Sequence, residues 1–210
     1  MKKSNFYLLY SGDKSLLNNE VNKLKKNLNI TSDSIYYDIE NVSDIIVEAS
    51  TIGMFDPYKF IVIDSDNYFL QKSEFDISLL EEYFNNYNTN SYLIFILNSG
   101  SVDSKKKLYK LINDNGTINK LSVTEEYLDT FVRNYIKDNG FTMSDMDIKF
   151  FLGRCNKDID NIKNELDKLM LYKLEEKVID KDDIILLVDE DIDDTVFELV
   201  SSILKNDCNK

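Results

Sequence analysis

The sequence predicts an α/β fold, a parallel sheet flanked by helices, followed by a small helical domain. Short β-rich runs alternate with helical patterns over the first 122 residues. Two of these runs, KFIVID (59–64) and SYLIFIL (91–97), are almost continuously apolar, which is typical of central parallel strands buried on both faces. Beyond residue 122 the strand pattern stops and helical spacing continues.

The first domain, residues 1–122, contains five predicted strands separated by amphipathic helices. The strands are FYLLY (6–10), SIYYDI (34–39), KFIVID (59–64), SYLIFIL (91–97) and TINKLS (117–122). Apolar stripes at helical spacing lie between them, at Leu16, Leu17, Val21, Leu24 and Leu28, at Val42, Ile45, Ile46 and Ala49, at Leu79, Leu80, Tyr83 and Phe84, and at Leu108, Leu111 and Ile112. This alternation favours a doubly wound layer.

The second domain, residues 123–190, is predicted to be a helical lid, and residues 191–210 a connecting helix. Residues typical of helix boundaries occur along this domain. They are the predicted N-caps Thr124, Ser144 and Asp180, and Gly140 beyond a helix end. A sheet domain followed by a helical lid is the plan of an AAA+/RecA-like ATPase core.

Composition excludes several kinds of catalytic chemistry. The chain has no histidine, so Ser-His-Asp and Cys-His mechanisms and His-ligated zinc are ruled out. Its two cysteines, Cys155 and Cys208, have no metal-ligand spacing and are too few for a disulfide framework. We expect no metal site, no cofactor and no catalytic residue.

The net charge of −13 argues against a protein that binds duplex DNA by itself, since such a protein needs a basic face. An acidic balance fits a protein that binds other proteins. No apolar run approaches the roughly 20 residues that a membrane span requires, and the N-terminal run is too short for a signal peptide. We therefore expect a cytoplasmic protein without a membrane partner.

The stretch SGDKS (11–15) raises the question of a phosphate-binding loop. A working loop reads GxxxxGK[ST] after the first strand, so that backbone N–H groups wrap the phosphates. Here the candidates are Gly12, Lys14 and Ser15, but the spacing after the strand is too short and Asp13 would oppose phosphate. We interpret this as a degenerate loop, in which Gly12 allows a tight turn and Asp13 or Ser15 caps the helix.

Some of the other residues that an ATPase site needs are present, and others are not. Asp64 and Asp66 follow the third strand where a magnesium-binding carboxylate would lie, and Asn98 ends the fourth strand as a polar sensor would. Carboxylates at strand ends are, however, often turn residues. The position of a phosphate-contacting lid arginine is taken by Asp160. These features favour a protein that does not bind ATP, and a nucleotide-binding enzyme with an altered loop is the alternative.

Four segments resemble a known family. They are YLLYSGDKSLLNNEVNKLKKNL, IGMFDPYKFIVID, KDIDNIKNELDKLMLY and DDTVFELVSSILKND, and they occur in the family's order along the whole chain. Each is moderately specific alone, and together they are similar to the delta subunit of bacterial DNA polymerase III. The delta-prime subunit usually carries a Cys-rich zinc module and an arginine finger, and this chain has neither.

The resemblance implies a non-catalytic subunit of the DNA polymerase III holoenzyme. Such a subunit belongs to the clamp loader, binds the β sliding clamp and stabilises the opened ring, while other subunits hydrolyse ATP. Its partners would include the tau/gamma and delta-prime subunits, joined through a helical collar domain, with DNA reached through the complex. That collar should follow residue 205, so the sequence is expected to be a fragment holding the first two domains.

The resemblance also implies a clamp-binding element, which carries over to Ile52, Met54 and Phe55. Gly53 can end the preceding helix and Pro57 opens the next strand region, so a tight exposed corner is predicted. The alternative is that Met54 and Phe55 cap the core under the sheet edge. An α/β interaction module unrelated to replication is a further reading of the whole chain.

Overall fold

The computed structural model describes residues 4–52, 57–70, 76–155 and 158–189. The chain divides into two compact units, Met1–Ser122 and Val123–Lys210. No helix in the described part of the chain is long and apolar enough to cross a membrane.

The first unit is built on a five-stranded parallel sheet, as the sequence predicts. Its strands are β1 (Phe6–Ser11), β2 (Ser34–Asp38), β3 (Lys59–Asp64), β4 (Ser91–Asn98) and β5 (Thr117–Lys120). They lie in the order β2-β3-β4-β1-β5, and every pairing is parallel. The apolar runs of β3 and β4 therefore occupy interior positions, where both faces of a strand are covered.

Helices cover both faces of this sheet. They are α1 (Lys14–Asn27), α2 (Val42–Ser50), α3 (Asp66–Leu70), α4 (Ser78–Asn85) and α5 (Lys107–Asn115), with a 3-10 turn at Ile39–Asn41. Successive strand residues point to opposite faces. On β1, Leu8 packs into one apolar core with residues of α2, α4 and α5, whereas Leu9 packs into a second core with residues of α1. The fold is thus a three-layer α/β/α arrangement.

Register places the functional candidates at one edge of the sheet. Ser11 at the end of β1 pairs with Asn98 at the end of β4, and Asp64 of β3 pairs with Ile96. In open α/β sheets the carboxyl ends of the strands form the ligand-binding edge. The degenerate loop and the candidate carboxylates therefore share that edge.

The second unit is mainly helical. Its elements are α6 (Glu125–Asp138), β6 (Thr142–Met143), α7 (Asp145–Arg154), α8 (Ile159–Tyr172), β7 (Val178–Ile179) and α9 (Lys181–Leu187). Thr124, Ser144 and Asp180 cap their helices as the sequence indicates, and Gly140 has a φ of 79° after α6. The expectation of no strand beyond residue 122 was wrong, since β6 and β7 pair in parallel.

Candidate functional site

The amino end of α1 is closed by the chain's own carboxylate. Asp13 is the N-cap, and its Oδ1 accepts a hydrogen bond from the Leu16 N–H at 2.9 Å. The Asp13 N–H in turn donates to Oγ of the buried Ser11 at 3.1 Å. A helix amino end binds phosphate through unpaired N–H groups and a partial positive charge. Here Asp13 accepts from one of these N–H groups and places a negative charge at the helix end.

Gly12 is not at the turn for the reason that the sequence suggested. Among the described glycines only Gly140 has a positive φ. A Cβ added to Gly12 would lie 3.7 Å from the nearest atom, the Gly100 N, which is ordinary van der Waals contact. The strand-to-helix turn therefore does not depend on glycine. It is held by the Asp13 cap, while Lys14 and Ser15 are the first residues of α1.

The other candidate residues of the ATPase-type site do come together. Lys14, Asn18, Asp64, Asp66 and Asn98 supply the polar lining of one small pocket. Its volume is about 40 Å³, whereas pockets that bury a drug-sized ligand measure roughly 300–1,000 Å³. The arrangement brings these polar side chains together around a small pocket at the carboxyl edge of the sheet.

The two carboxylates in this pocket accept backbone hydrogen bonds, one within a local turn and one from the end of β4. Asp64 Oδ1 accepts from the Asp66 N–H at 3.0 Å, and Asp66 Oδ1 accepts from the Asn98 N–H at 2.6 Å. Burial raises the pKa of Asp66; its bond from Asn98 and the charge of Lys14 act in the opposite direction. No group of three or more Cys, Asp or Glu residues in the described ranges could hold a metal ion.

In the second unit, Asp160 lies where a phosphate-contacting arginine was sought. It is in the first turn of α8, and its N–H donates to Asp158 Oδ1, the N-cap, at 3.0 Å. An acidic residue in a first turn is favourable toward the helix dipole. The position is thus used for helix stability and supplies no positive charge.

The carboxyl end of α2 carries the second set of candidates. Ile52 follows this helix, and 74% of its surface is exposed. Met54 and Phe55, the other two residues of the expected clamp-binding element, lie outside the described residues. About three quarters of the surface of this isoleucine is therefore open to a partner.

Sequence reasoning missed a buried lysine beside this element. Lys59, the first residue of β3, is only 9% exposed. Its Nζ donates to the Glu48 backbone oxygen at 2.8 Å, to Glu48 Oε1 at 2.5 Å and to Thr51 Oγ1 at 2.5 Å. In the sequence, Lys59 looks like an ordinary polar residue flanking an apolar strand. Only the position of Lys59 in the fold, opposite the end of α2, explains why it is buried.

Fold and site together define a class, an α/β domain with an AAA+-like fold in which the helix after β1 is capped by its own aspartate. The Thermotoga maritima RuvB Holliday junction branch migration motor is similar, with a TM-score of 0.55, 13% identity, and 87% of this chain and 60% of that chain covered. A variant of the same RuvB matches with a TM-score of 0.58 and 14% identity over 87% of this chain and 60% of that chain.

The family is more specific than this class. The family model for DNA polymerase III, delta subunit, matches residues 4–122, and the chain belongs to that family. The Bacillus subtilis DNA clamp loader delta protein YqeN is similar in structure, with a TM-score of 0.66, 19% identity, and 96% of this chain and 63% of that chain covered. The chain thus spans less than two thirds of these solved structures. A comparison with curated proteins gave no match.

Proposed function

We propose that this chain is the clamp-binding part of a clamp-loader delta subunit, which binds the β sliding clamp through Ile52, Met54 and Phe55 and stabilises the opened ring. The observation that carries the proposal is membership in the delta family over residues 4–122. Likeness to YqeN supports it. The exposed side chain of Ile52, at the expected end of a helix, supports the location of the site.

The energetics of such an element suit a protein partner. Burying an exposed apolar side chain of this size contributes roughly 1.5–3 kcal/mol before the cost of association. Few interface residues carry most of the binding energy, and they cluster in pockets of the partner. A short apolar element at a helix end can therefore supply much of the affinity for the clamp.

The chain is proposed not to hydrolyse ATP itself. The Asp13 carboxylate at the amino end of α1 and the small pocket beside Lys14 support this view. ATP hydrolysis would be left to other clamp-loader subunits, which the chain would join through a collar domain, with DNA reached through that complex. We place the protein in the cytoplasm, where replication takes place.

The alternative, a nucleotide-binding enzyme with an altered loop, has one observation in its favour. Lys14, Asp64, Asp66 and Asn98 share one pocket at the carboxyl edge of the sheet. Calorimetry with Mg-ATP separates the two proposals. We expect no measurable heat of binding, and micromolar affinity would favour the enzyme.

The clamp site is tested with a double variant, Met54→Ala/Phe55→Ala. Affinity for the β clamp encoded by the same genome should fall about thirtyfold or more, corresponding to about 2 kcal/mol. Surface plasmon resonance measures the change. Leu171→Ala is the matched control, since Leu171 is 71% exposed and lies in the other unit. Unchanged affinity in the double variant would contradict the site, and a wild-type chain that fails to bind would contradict the function.

Ring opening needs its own measurement. A clamp closed around nicked circular DNA leaves that DNA only when its ring opens. Excess chain should speed clamp release, and the Met54→Ala/Phe55→Ala variant should not. If the clamp is released only at its spontaneous rate while the chain saturates it, the chain does not open the ring. Clamp binding would then stand without ring opening.

A further inference from the structure

The outer face of α2 carries few charges for a surface of this protein. The helix, with the sequence VSDIIVEAS, contains no lysine or arginine, although charged residues make up 30% of the chain. Its exposed residues are Ser43, Asp44, Val47 and Ser50, and only Asp44 among them is charged. Charged residues are depleted in the core of protein interfaces. This face therefore shares one property with an interface.

Val47 is the apolar residue of this face, and 64% of it is exposed. Valine is a poorer helix former than alanine, because its branched side chain loses rotamer freedom in a helix. With most of its surface open to solvent, Val47 recovers little of that loss by burial. The folded unit on its own therefore gains little from a valine at this position.

The outer face of α2 leads directly to Ile52. Residues four apart lie on the same face of a helix, so Val47 lies one turn before Thr51. Thr51 is the C-cap with an extended backbone, and Ile52 follows it. Both are exposed. Val47, Ser50, Thr51 and Ile52 thus form one continuous surface without a charged residue, which we call the α2 surface.

The carboxylate of Glu48 is engaged beside this surface. Glu48 Oε1 accepts from Lys59 Nζ at 2.5 Å, and the same ammonium donates to Thr51 Oγ1 at 2.5 Å. The Thr51 hydroxyl in turn donates to the Glu48 carbonyl at 3.0 Å. Because Lys59 is buried at the start of β3, this ion pair lies toward the sheet. A partner could cover the α2 surface without separating the pair, which would be costly.

Other elements hold the end of α2 in place. The Ala49 carbonyl accepts from Ser91 Oγ at 2.7 Å, from Tyr83 Oη at 3.2 Å and from Asn88 Nδ2 at 3.3 Å. The final carbonyls of a helix have no partner within the helix and must find one elsewhere. Here α4, β4 and the loop between them supply the donors. A surface on an anchored helix end loses little conformational entropy when a partner docks on it.

We propose that the clamp-binding interface extends from Ile52 onto the outer face of α2, with Val47 as a contact residue and the β clamp as the partner that covers it. The inference rests on the proposed clamp-binding function. Two exposed apolar side chains, Val47 and Ile52, on one anchored surface support it. Burial of Val47 would add affinity in proportion to the apolar area removed from water.

Val47→Ala separates a binding role from a structural one, because the two roles predict opposite signs. Alanine is the better helix former, so the variant should resist urea at least as well as the wild type. Its affinity for the β clamp encoded by the same genome should fall about threefold to tenfold, because apolar contact area is lost. Surface plasmon resonance measures the affinity. A lower unfolding midpoint in Val47→Ala would mean that Val47 packs within the fold, and would overturn the proposal.

Val47→Lys places a charge on the same surface and should weaken clamp binding more than about tenfold, since a charge buried without a partner is unfavourable. Leu79→Lys is the matched control, because Leu79 is exposed on α4 of the same unit. It should bind within about twofold of the wild type. Equal losses in the two lysine variants would overturn the proposal, because they would not depend on contact at Val47.

The double variant Met54→Ala/Phe55→Ala separates this inference from the proposed site. If it loses binding while both Val47 variants bind as the wild type does, the clamp site stands and its extension onto α2 is wrong. If Val47→Lys loses binding while the double variant binds normally, the contact on α2 stands and the assignment of Met54 and Phe55 is wrong. If the wild-type chain does not bind the clamp, the proposed function fails and its extension fails with it.

Discussion

Two helix ends in the first unit are closed by opposite charges, with different consequences. At the amino end of α1, Asp13 accepts from the Leu16 N–H. At the carboxyl end of α2, Lys59 donates to the Glu48 carbonyl. Each charge complements the helix dipole. The first cap takes up the place where a phosphate would bind, whereas the second anchors the end of a helix and leaves Ile52 exposed beside it.

A capping side chain can occupy a helix end where a ligand might otherwise bind, or it can fix a helix end beside an exposed residue. Which of the two happens depends on the capping side chain. Asp13 is local, since it satisfies an N–H three residues away. Lys59 is not local, because it reaches back eleven residues to Glu48 and eight to Thr51. Only the second kind of cap fixes one part of the fold relative to another.

The largest effect is expected from removing the long-range cap. Lys59→Met should lower the free energy of unfolding by about 2 kcal/mol, because the Glu48 carboxylate loses its ammonium partner and Thr51 Oγ1 loses a donor. Urea unfolding followed by circular dichroism measures it. The control is Lys23→Met, since the pair between Lys23 and Glu20 is exposed and should contribute no more than about 0.5 kcal/mol. Equal losses in both variants would contradict the special role of Lys59.

Removing the local cap should cost less. Asp13→Ala should destabilise the protein by about 1 kcal/mol, the usual contribution of an N-cap, whereas Asp13→Asn keeps an accepting oxygen and should cost only a few tenths. Both variants remove the negative charge, so the same proteins test the nucleotide site by calorimetry. We expect neither to bind Mg-ATP, because the pocket stays small. Binding by Asp13→Asn would show that charge alone keeps nucleotide out.

A third cap, in the second unit, should affect the dependence of stability on pH only in the acidic range. Asp180 Oδ1 accepts from the N–H groups of Asp182 and Asp183, and the bond from Asp183 is the main reason its pKa is lowered. This carboxylate therefore adds stability above its unfolded pKa of about 3.9, and the contribution is lost as pH falls through the lower folded pKa.

Asp180→Asn keeps the cap and cannot titrate, so its unfolding midpoint in urea should depend less on pH between about pH 5 and 2. Asp182→Asn removes a charge from the same turn without removing an oxygen that accepts these bonds, and serves as the control. A wild-type pH dependence in Asp180→Asn would contradict the assignment.

Much of the first unit could be predicted from the sequence because its signals are long and local. The apolar runs of β3 and β4 place their strands to within one residue. In the second unit, Thr124 and Ser144 are recognisable caps. The five residues of α3 and the two residues of β6 were missed, because such short elements show no period.

The parts of the site that depend on the type of a residue could be predicted from the sequence, and the parts that depend on tertiary contacts could not. Asp13 was one of the two predicted cap residues and is the cap, and Asp64 and Asn98 were predicted at the ends of their strands. The role assigned to Gly12 was wrong, because nothing crowds that position. Lys59 escaped notice because burial of a lysine depends on partners brought from another element, which no local pattern encodes.

The acceptor at the end of α2 is a main-chain oxygen, and this sets how the region tolerates mutation. No substitution at Ala49 can delete the oxygen, so changes there should be limited by side-chain volume at a fully buried position. Tyr83, Asn88 and Ser91 can each lose a donor while two others remain. In a saturation screen, position 49 should accept only small residues, whereas changes that remove a single donor and keep the packing, such as Tyr83→Phe or Ser91→Ala, should do harm mainly in combination.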